Sequence, residues 1–171
     1  MRRINDRLIL GLLAGLAANL IKETIGEVGV RSGLTSYTCR RMIPLIFLNK
    51  KDAKTWKGWV IGTSADMSVA GMIGVLICYT LSLTGRDYGF LKGVMISNGI
   101  LDQIFNAFAR VLPRVRKEPN SNLLCKVIHT VFGIATVFLI NALGDPALFG
   151  RKPLFTTGER QKNAALANPA K

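Results

Sequence analysis

Asp66 and Asp102 are carboxylic acids set inside long apolar stretches, and His129, the single histidine of the chain, stands in a third. Asn19, Asn98 and Asn106 keep similar company. Carboxyl and imidazole groups can pass a proton or hold a cation, and amides add hydrogen bonds or oxygen ligands. In hydrocarbon an ionised acid costs about 2.5–3.5 kcal/mol on insertion scales, so these six residues are expected to face a helical interior. One reading has them hydrogen-bond one another and hold helices together. The other has Asp66 and Asp102 exchange a proton or cation that His129 relays or gates. A divalent ion held by the two carboxylates and the imidazole is weaker still, because one histidine and no HxxE or DxxxD repeat leave ligand geometry undefined. No metal and no cofactor is therefore expected.

The elements that must position these groups are apolar runs. Residues 67–83, MSVAGMIGVLICYTLSL, carry no charge, and the uncharged stretch continues upstream to residue 58 past Asp66 alone. A bilayer core about 30 Å thick needs about 20 helical residues, which this stretch exceeds. Residues 127–144, VIHTVFGIATVFLINALG, make a second strong span. Residues 8–21 are short for a span unless the helix continues through Lys22 and Glu23, whose position predicts an interface at which a lysine stem lies along lipid. A cleaved signal peptide is the rival, but residues 17–19, Ala-Ala-Asn, make a poor cleavage site. Residues 88–112 contain Lys92, Asp102 and Arg110; a short glycine-containing link to the preceding run makes them its antiparallel partner.

Four spans at about 7–28, 57–84, 88–112 and 122–143 follow, in a transmembrane helical domain of residues 1–144. The fold class is all-α, an integral membrane bundle. Between the first and second spans, residues 35–48 hold an apolar stretch too short to cross, broken by Pro44, and read as an interfacial or re-entrant segment with Arg40 and Arg41 at headgroups and Tyr37 and Phe47 at the interface. Residues 145–171 read as a flexible basic tail. Trp56, Trp59 and Tyr88 are interface anchors. The loops after the first and third spans carry the larger share of lysine and arginine, which predicts that they are cytoplasmic.

Small residues recur at i, i+4 spacing: Gly11 and Gly15 on the first span, and Gly58, Gly62, Ala70 and Gly74 on the second, with Asp66 in the same row. Apolar burial does little to join helices in lipid, so such ridges pack by close backbone approach. Asp66 lies about 13 Å along its helix from Lys57, Asp102 about 15 Å from Leu112 and His129 about 10 Å from Asn122 at 1.5 Å per residue, so a common polar layer is expected. Cys39, Cys78 and Cys125 are far apart in sequence, form no CxxC pair and read as free thiols.

The ordered features GLLAGLAAN at 11–19, LNKKDAKT at 48–55, Gly62 to Asp66 and LTGRDYGFLKG at 83–93 resemble an uncharacterised family of small bacterial multi-pass membrane proteins over about residues 8–143. The resemblance implies the architecture alone, and no functional residue is carried over from it. Net charge is +13. That charge raises a soluble nucleic-acid-binding protein as a minor alternative, but two nearly uncharged long helices exceed what a small soluble core can cover. Phosphate-loop, HExxH, GxSxG and dinucleotide-binding motifs do not occur. The expectation is a non-enzymatic multi-pass protein of the cell membrane with a structural or partner-binding role, and small proton or cation transport as the alternative. Its partners would be the bilayer, anionic headgroups at the basic loops, and a second copy or another membrane protein, with no nucleic acid.

Overall fold

The Asp6 carboxylate accepts a hydrogen bond from the Ile9 backbone N–H at 2.9 Å and so opens helix α1, Arg7–Arg31. Gly33, at φ +77°, then turns the chain into an elbow of two single-turn helices, α2 (Cys39–Met42) and α3 (Pro44–Phe47). Pro44 has no N–H to continue α2, which is why the helix restarts there. A 3-10 turn at Asp52–Lys54 leads to α4 (Trp56–Thr84), followed by α5 (Gly89–Val111) and α6 (Pro119–Leu143). This computed structural model describes residues 3–35, 38–111 and 119–149; it is all-helical, with no strand among those residues.

Among the described residues, three helices are long and apolar enough to cross a membrane: Arg7–Arg31, Trp56–Thr84 and Leu123–Leu143 within α6. Their outward faces carry exposed Leu12, Leu20, Met72, Leu76, Ile134 and Phe138. Trp56, Trp59 and Tyr88 are exposed at the start of α4 and just before α5. Helix α5 has comparable length but includes Lys92, Asp102 and Arg110, and its apolar residues gather on one side. Within 35–48, where an interfacial or re-entrant segment was expected, the chain forms α2 and α3 packed against α4, with Met42, Ile43 and Pro44 buried and Phe47 exposed. Tyr37 lies outside the described residues.

Helix α1 is the centre of the bundle, lying against α4 on one side and α6 on the other, with α5 on the far side of α6. The short link between α4 and α5 suggested that these two would pair, yet their mutual contact is minor. Backbone approach decides otherwise. A Cβ on Gly74 would fall on the Gly11 carbonyl oxygen, and one on Gly15 on the Ala70 carbonyl oxygen, so α1 and α4 touch through this ridge. Gly93 and Gly133 join α5 to α6 in the same way. The expected row on α4 is divided between two partners. Ala70 and Gly74 receive α1, whereas a Cβ on Gly62 would meet the Arg40 carbonyl and one on Gly58 the Ala53 carbonyl, so the lower half receives the elbow and the turn after it.

Apolar side chains fill the layer above the polar groups, among them Leu10, Ala14, Ile77, Leu81, Phe132 and Ile140. Ile4 pairs with the end of α6 through Ile4 N–H to Leu143 C=O at 2.9 Å and Asp145 N–H to Ile4 C=O at 3.0 Å. Residues 145–149 belong to this packed end: the turn Pro146–Phe149 buries Leu148 and Phe149, and Ser82 donates to the Leu148 carbonyl at 2.6 Å. The remainder of the expected flexible tail, 150–171, lies outside the described residues.

Candidate functional site

One turn of α1 carries both Asn19 and Lys22 on the face turned to α4, where Asp66 meets them. Lys22 Nζ donates to Asp66 Oδ1 at 2.6 Å, and Asn19 Nδ2 donates to Asp66 Oδ2 at 2.8 Å. The two ionic side chains are only 3% and 5% exposed. Lys22 was expected at an interface; the structure instead buries it, 6.0 Å above the Phe132 ring, because an acid on the neighbouring helix stands at its level. The pair neutralises itself and Asn19 satisfies the second carboxylate oxygen, as burial of charge requires.

Charge continues from this pair toward the elbow. Glu23 Oε1 lies 3.9 Å from Lys22 Nζ, and Glu23 Oε2 lies 3.1 Å from Arg40 Nε. Arg40 Nη2 reaches Glu27 at 3.3 Å, and Arg41 Nη2 donates to both Glu27 oxygens at 2.9 Å. Two acids on α1 thus hold two arginines on α2, and the elbow is fastened to the bundle by alternating charge. Arg40 and Arg41, expected at headgroups, lean their guanidiniums on α1, and both also line the cavity at the foot of α4.

A second group lies beside the first. Cys39 at the start of α2, and Cys125 and His129 one turn apart on α6, bring their donor atoms within 4.8 Å of one another. Cys39 Sγ is 3.6 Å from His129 Nε2, and Cys125 Sγ is 3.7 Å from Nδ1 and 3.8 Å from Nε2. His129 is fully buried and Cys125 nearly so, while Cys39 is partly buried. Hydrogen bonding from Cys125 holds the Cys39 thiol well below its ordinary pKa against the opposing effect of burial, and His129 and Lys22 act in the same direction.

The remaining expected residues go elsewhere. Asp102, 34% exposed, faces Lys126 of α6 at 4.0 Å. Asp66 and Asp102 therefore have separate cationic partners on different helices. Asn98 Nδ2 donates to Thr130 Oγ1 at 3.0 Å, and Ser97 donates to the His129 carbonyl at 3.0 Å, so α5 and α6 are pinned by their own polar pairs. Asn106 is exposed. By partner, five of the six residues divide into an α1–α4 group with Asn19 and Asp66, an α5–α6 group with Asn98 and Asp102, and His129 among sulphurs. Lys22 and Cys39 were not singled out in the sequence. Lys22 had a signal, its i, i+3 spacing from Asn19, whereas Cys39 had none, since it approaches His129 only through the fold of the elbow.

At the foot of α4, between the elbow and the turn at Asp52–Lys54, lies a cavity of about 660 Å³. Arg40, Arg41, Lys50, Lys51 and Lys54 line it together with apolar Leu45 and Trp59. Among the described residues Lys50, Lys51 and Lys54 form no ion pair, and Asp52 accepts from Asn49 Nδ2 at 2.7 Å. No protein-family model matches the chain, and neither a curated protein nor a solved structure is similar to it.

Proposed function

We propose that this chain is a four-span integral protein of the cell membrane, with α5 as the fourth span, that performs no catalysis of its own and acts as a scaffold binding anionic lipid headgroups at its elbow. The basic cavity carries this reading. Three unpaired lysines and two arginines converge on a volume suited to a headgroup, and Leu45 and Trp59 offer an apolar wall for the start of an acyl chain. Trp56 and Trp59, exposed beside it, fit the level of the membrane interface. The ionic link from Glu23 and Glu27 to Arg40 and Arg41 keeps the elbow in place to form one wall. An amphipathic short segment with its basic residues toward water is the expected geometry of an interfacial element.

Proton or cation movement through Asp66, Asp102 and His129 has less support. Asp66 is occupied by Lys22 and Asn19, and Asp102 lies against Lys126 on another helix. In reconstituted vesicles, relaxation of a pH or cation gradient that depends on Asp66 would replace the scaffold reading with transport.

The lipid test uses purified protein in a neutral detergent, with phosphatidylglycerol or phosphatidylcholine added. Phosphatidylglycerol is expected to raise the thermal midpoint and phosphatidylcholine to leave it unchanged, with the shift falling as salt rises. The triple substitution Lys50→Gln, Lys51→Gln, Lys54→Gln is expected to remove the shift. Equal shifts with both lipids, or a triple variant that responds like the native chain, would show that the cavity does not select anionic headgroups.

A further inference from the structure

The three cysteines looked like isolated thiols in the linear chain, yet two of them share a histidine in the folded one. Tetrahedral coordination with bonds of about 2.3 Å to sulphur and about 2.0–2.1 Å to nitrogen places a sulphur and a nitrogen about 3.5 Å apart, and two sulphurs about 3.8 Å apart. Cys39 Sγ lies 3.6 Å from His129 Nε2, while Cys125 Sγ is 3.7 Å from Nδ1 and 3.8 Å from Nε2 and must turn toward Nε2 to share an ion there; all three donors are within 4.8 Å. We propose that Cys39, Cys125 and His129 form a binding site for a thiophilic divalent cation, zinc above all.

Donor chemistry selects the class of ion. Thiolate and imidazole suit zinc and related soft or borderline metals, whereas magnesium and calcium require oxygen sets that are absent from these three residues. Charge selects the valence. A divalent ion with two thiolates and a neutral imidazole leaves the buried site uncharged, any proton still held by a thiol leaving on binding. A monovalent ion would leave a net negative charge there, and nearby Lys22 is already neutralised by Asp66 at 2.6 Å. Rigidity favours the site as well. Cys125 and His129 sit at i, i+4 on one face of α6, and the Ser97 hydroxyl ties the His129 carbonyl to α5 at 3.0 Å. Cys39 is brought by the elbow, which the ion pairs to Glu23 and Glu27 anchor.

A buried oxygen without a partner stands on the residue before Cys39. Thr38, the residue before Cys39, is 4% exposed, and its Oγ1 has no hydrogen-bond partner among the described residues. Three protein donors leave a fourth position to a water or to such a hydroxyl, in the manner of open zinc sites. The ion would join the elbow to α6 and thereby connect the basic cavity, formed by α2, α3 and α4, with the helix on the opposite side of α1. Sites of this composition lose their metal when a thiolate ligand is removed, and binding is pH-dependent because both sulphurs must be deprotonated.

The experiment uses the full chain in detergent, reduced and stripped of metal, and titrated with Co(II) as a spectroscopic probe. One equivalent is expected to produce a thiolate-to-cobalt charge-transfer band and tetrahedral d–d bands, with thiol protons released on binding; added zinc is expected to abolish the bands and to raise the thermal midpoint. Cys39→Ser and Cys125→Ser are each expected to abolish the charge-transfer band or halve it while weakening binding at least about tenfold, and Cys78→Ser to leave it intact. Size-exclusion and circular dichroism of each variant establish that it is folded; if a variant is not, the stoichiometry and proton release of the native chain decide. The proposal fails if the native chain shows no thiolate band at one equivalent, if the band survives loss of both Cys39 and Cys125, or if peptide mapping of the native chain finds those two cysteines joined as a disulfide.

Discussion

Removing one member of the Lys22–Asp66 pair should harm the fold more than removing both. The side chains are 3% and 5% exposed and 2.6 Å apart, so Lys22→Met leaves Asp66 buried without its cation, and Asp66→Leu leaves Lys22 with only Glu23, 3.9 Å away. Loss of one partner of a buried pair costs about 3–5 kcal/mol, whereas replacing both with apolar groups is often neutral or stabilising. The structure adds a correction for Asn19. Its amide donates to Asp66 at 2.8 Å, so Asp66→Leu also strands a buried donor, at about 1–3 kcal/mol. Asp66→Leu should thus be the worse single change. The double variant should lose only about 1–3 kcal/mol, the cost of that amide. Unfolding by sodium dodecyl sulfate in mixed micelles, followed by far-ultraviolet circular dichroism, gives the four corners of the cycle. A double variant that loses the sum of the two single losses would refute the pairing, because independent residues add.

Glycines give a paired comparison: Gly74→Ala places a methyl on the Gly11 carbonyl and should lower stability by about 1–3 kcal/mol, whereas Gly99→Ala, where no atom lies within 4 Å, should be neutral or gain up to about 1 kcal/mol from helix propensity. Thermal unfolding in one detergent distinguishes them, and equal effects would mean that α1 and α4 do not meet at this ridge. Phe149→Ala should cost about 3–5 kcal/mol, since its ring is 6% exposed and lies 4.1 Å beneath the Arg86 guanidinium; a change below about 0.5 kcal/mol would separate the Pro146–Phe149 turn from the bundle. Glu27→Gln removes the negative charge shared by Arg40 and Arg41 and should speed maleimide labelling of Cys39 without changing that of Cys78. Unchanged labelling of Cys39 would show that the elbow is held by something other than these ion pairs.

The helical character of the long runs was readable from hydropathy and length alone, as were the small-residue rows, because lipid-length apolar stretches and i, i+4 spacing are properties of a linear chain. Asp66 and Asn19 stood out for the same reason: an ionisable group in an apolar run needs a partner wherever the chain goes. The identity of that partner was a different matter. Lys22 resembled an interfacial lysine until α4 delivered an acid to its level, and Asp102 resembled the mate of Asp66 until α5 packed on α6 and turned it to Lys126. Helix order around the bundle depends on which glycine rows come into register, a pairwise property of two surfaces. The division of the α4 row between α1 and the elbow follows from the same cause. Cys39 meets Cys125 and His129 across |i−j| = 90 to the imidazole, through a turn at Gly33 and a helix restart at Pro44. Spacing in sequence carries no record of such an approach, so the oily rods and their polar residues belong to the sequence, while the sulphur–imidazole cluster and the basic cavity exist only in the tertiary structure.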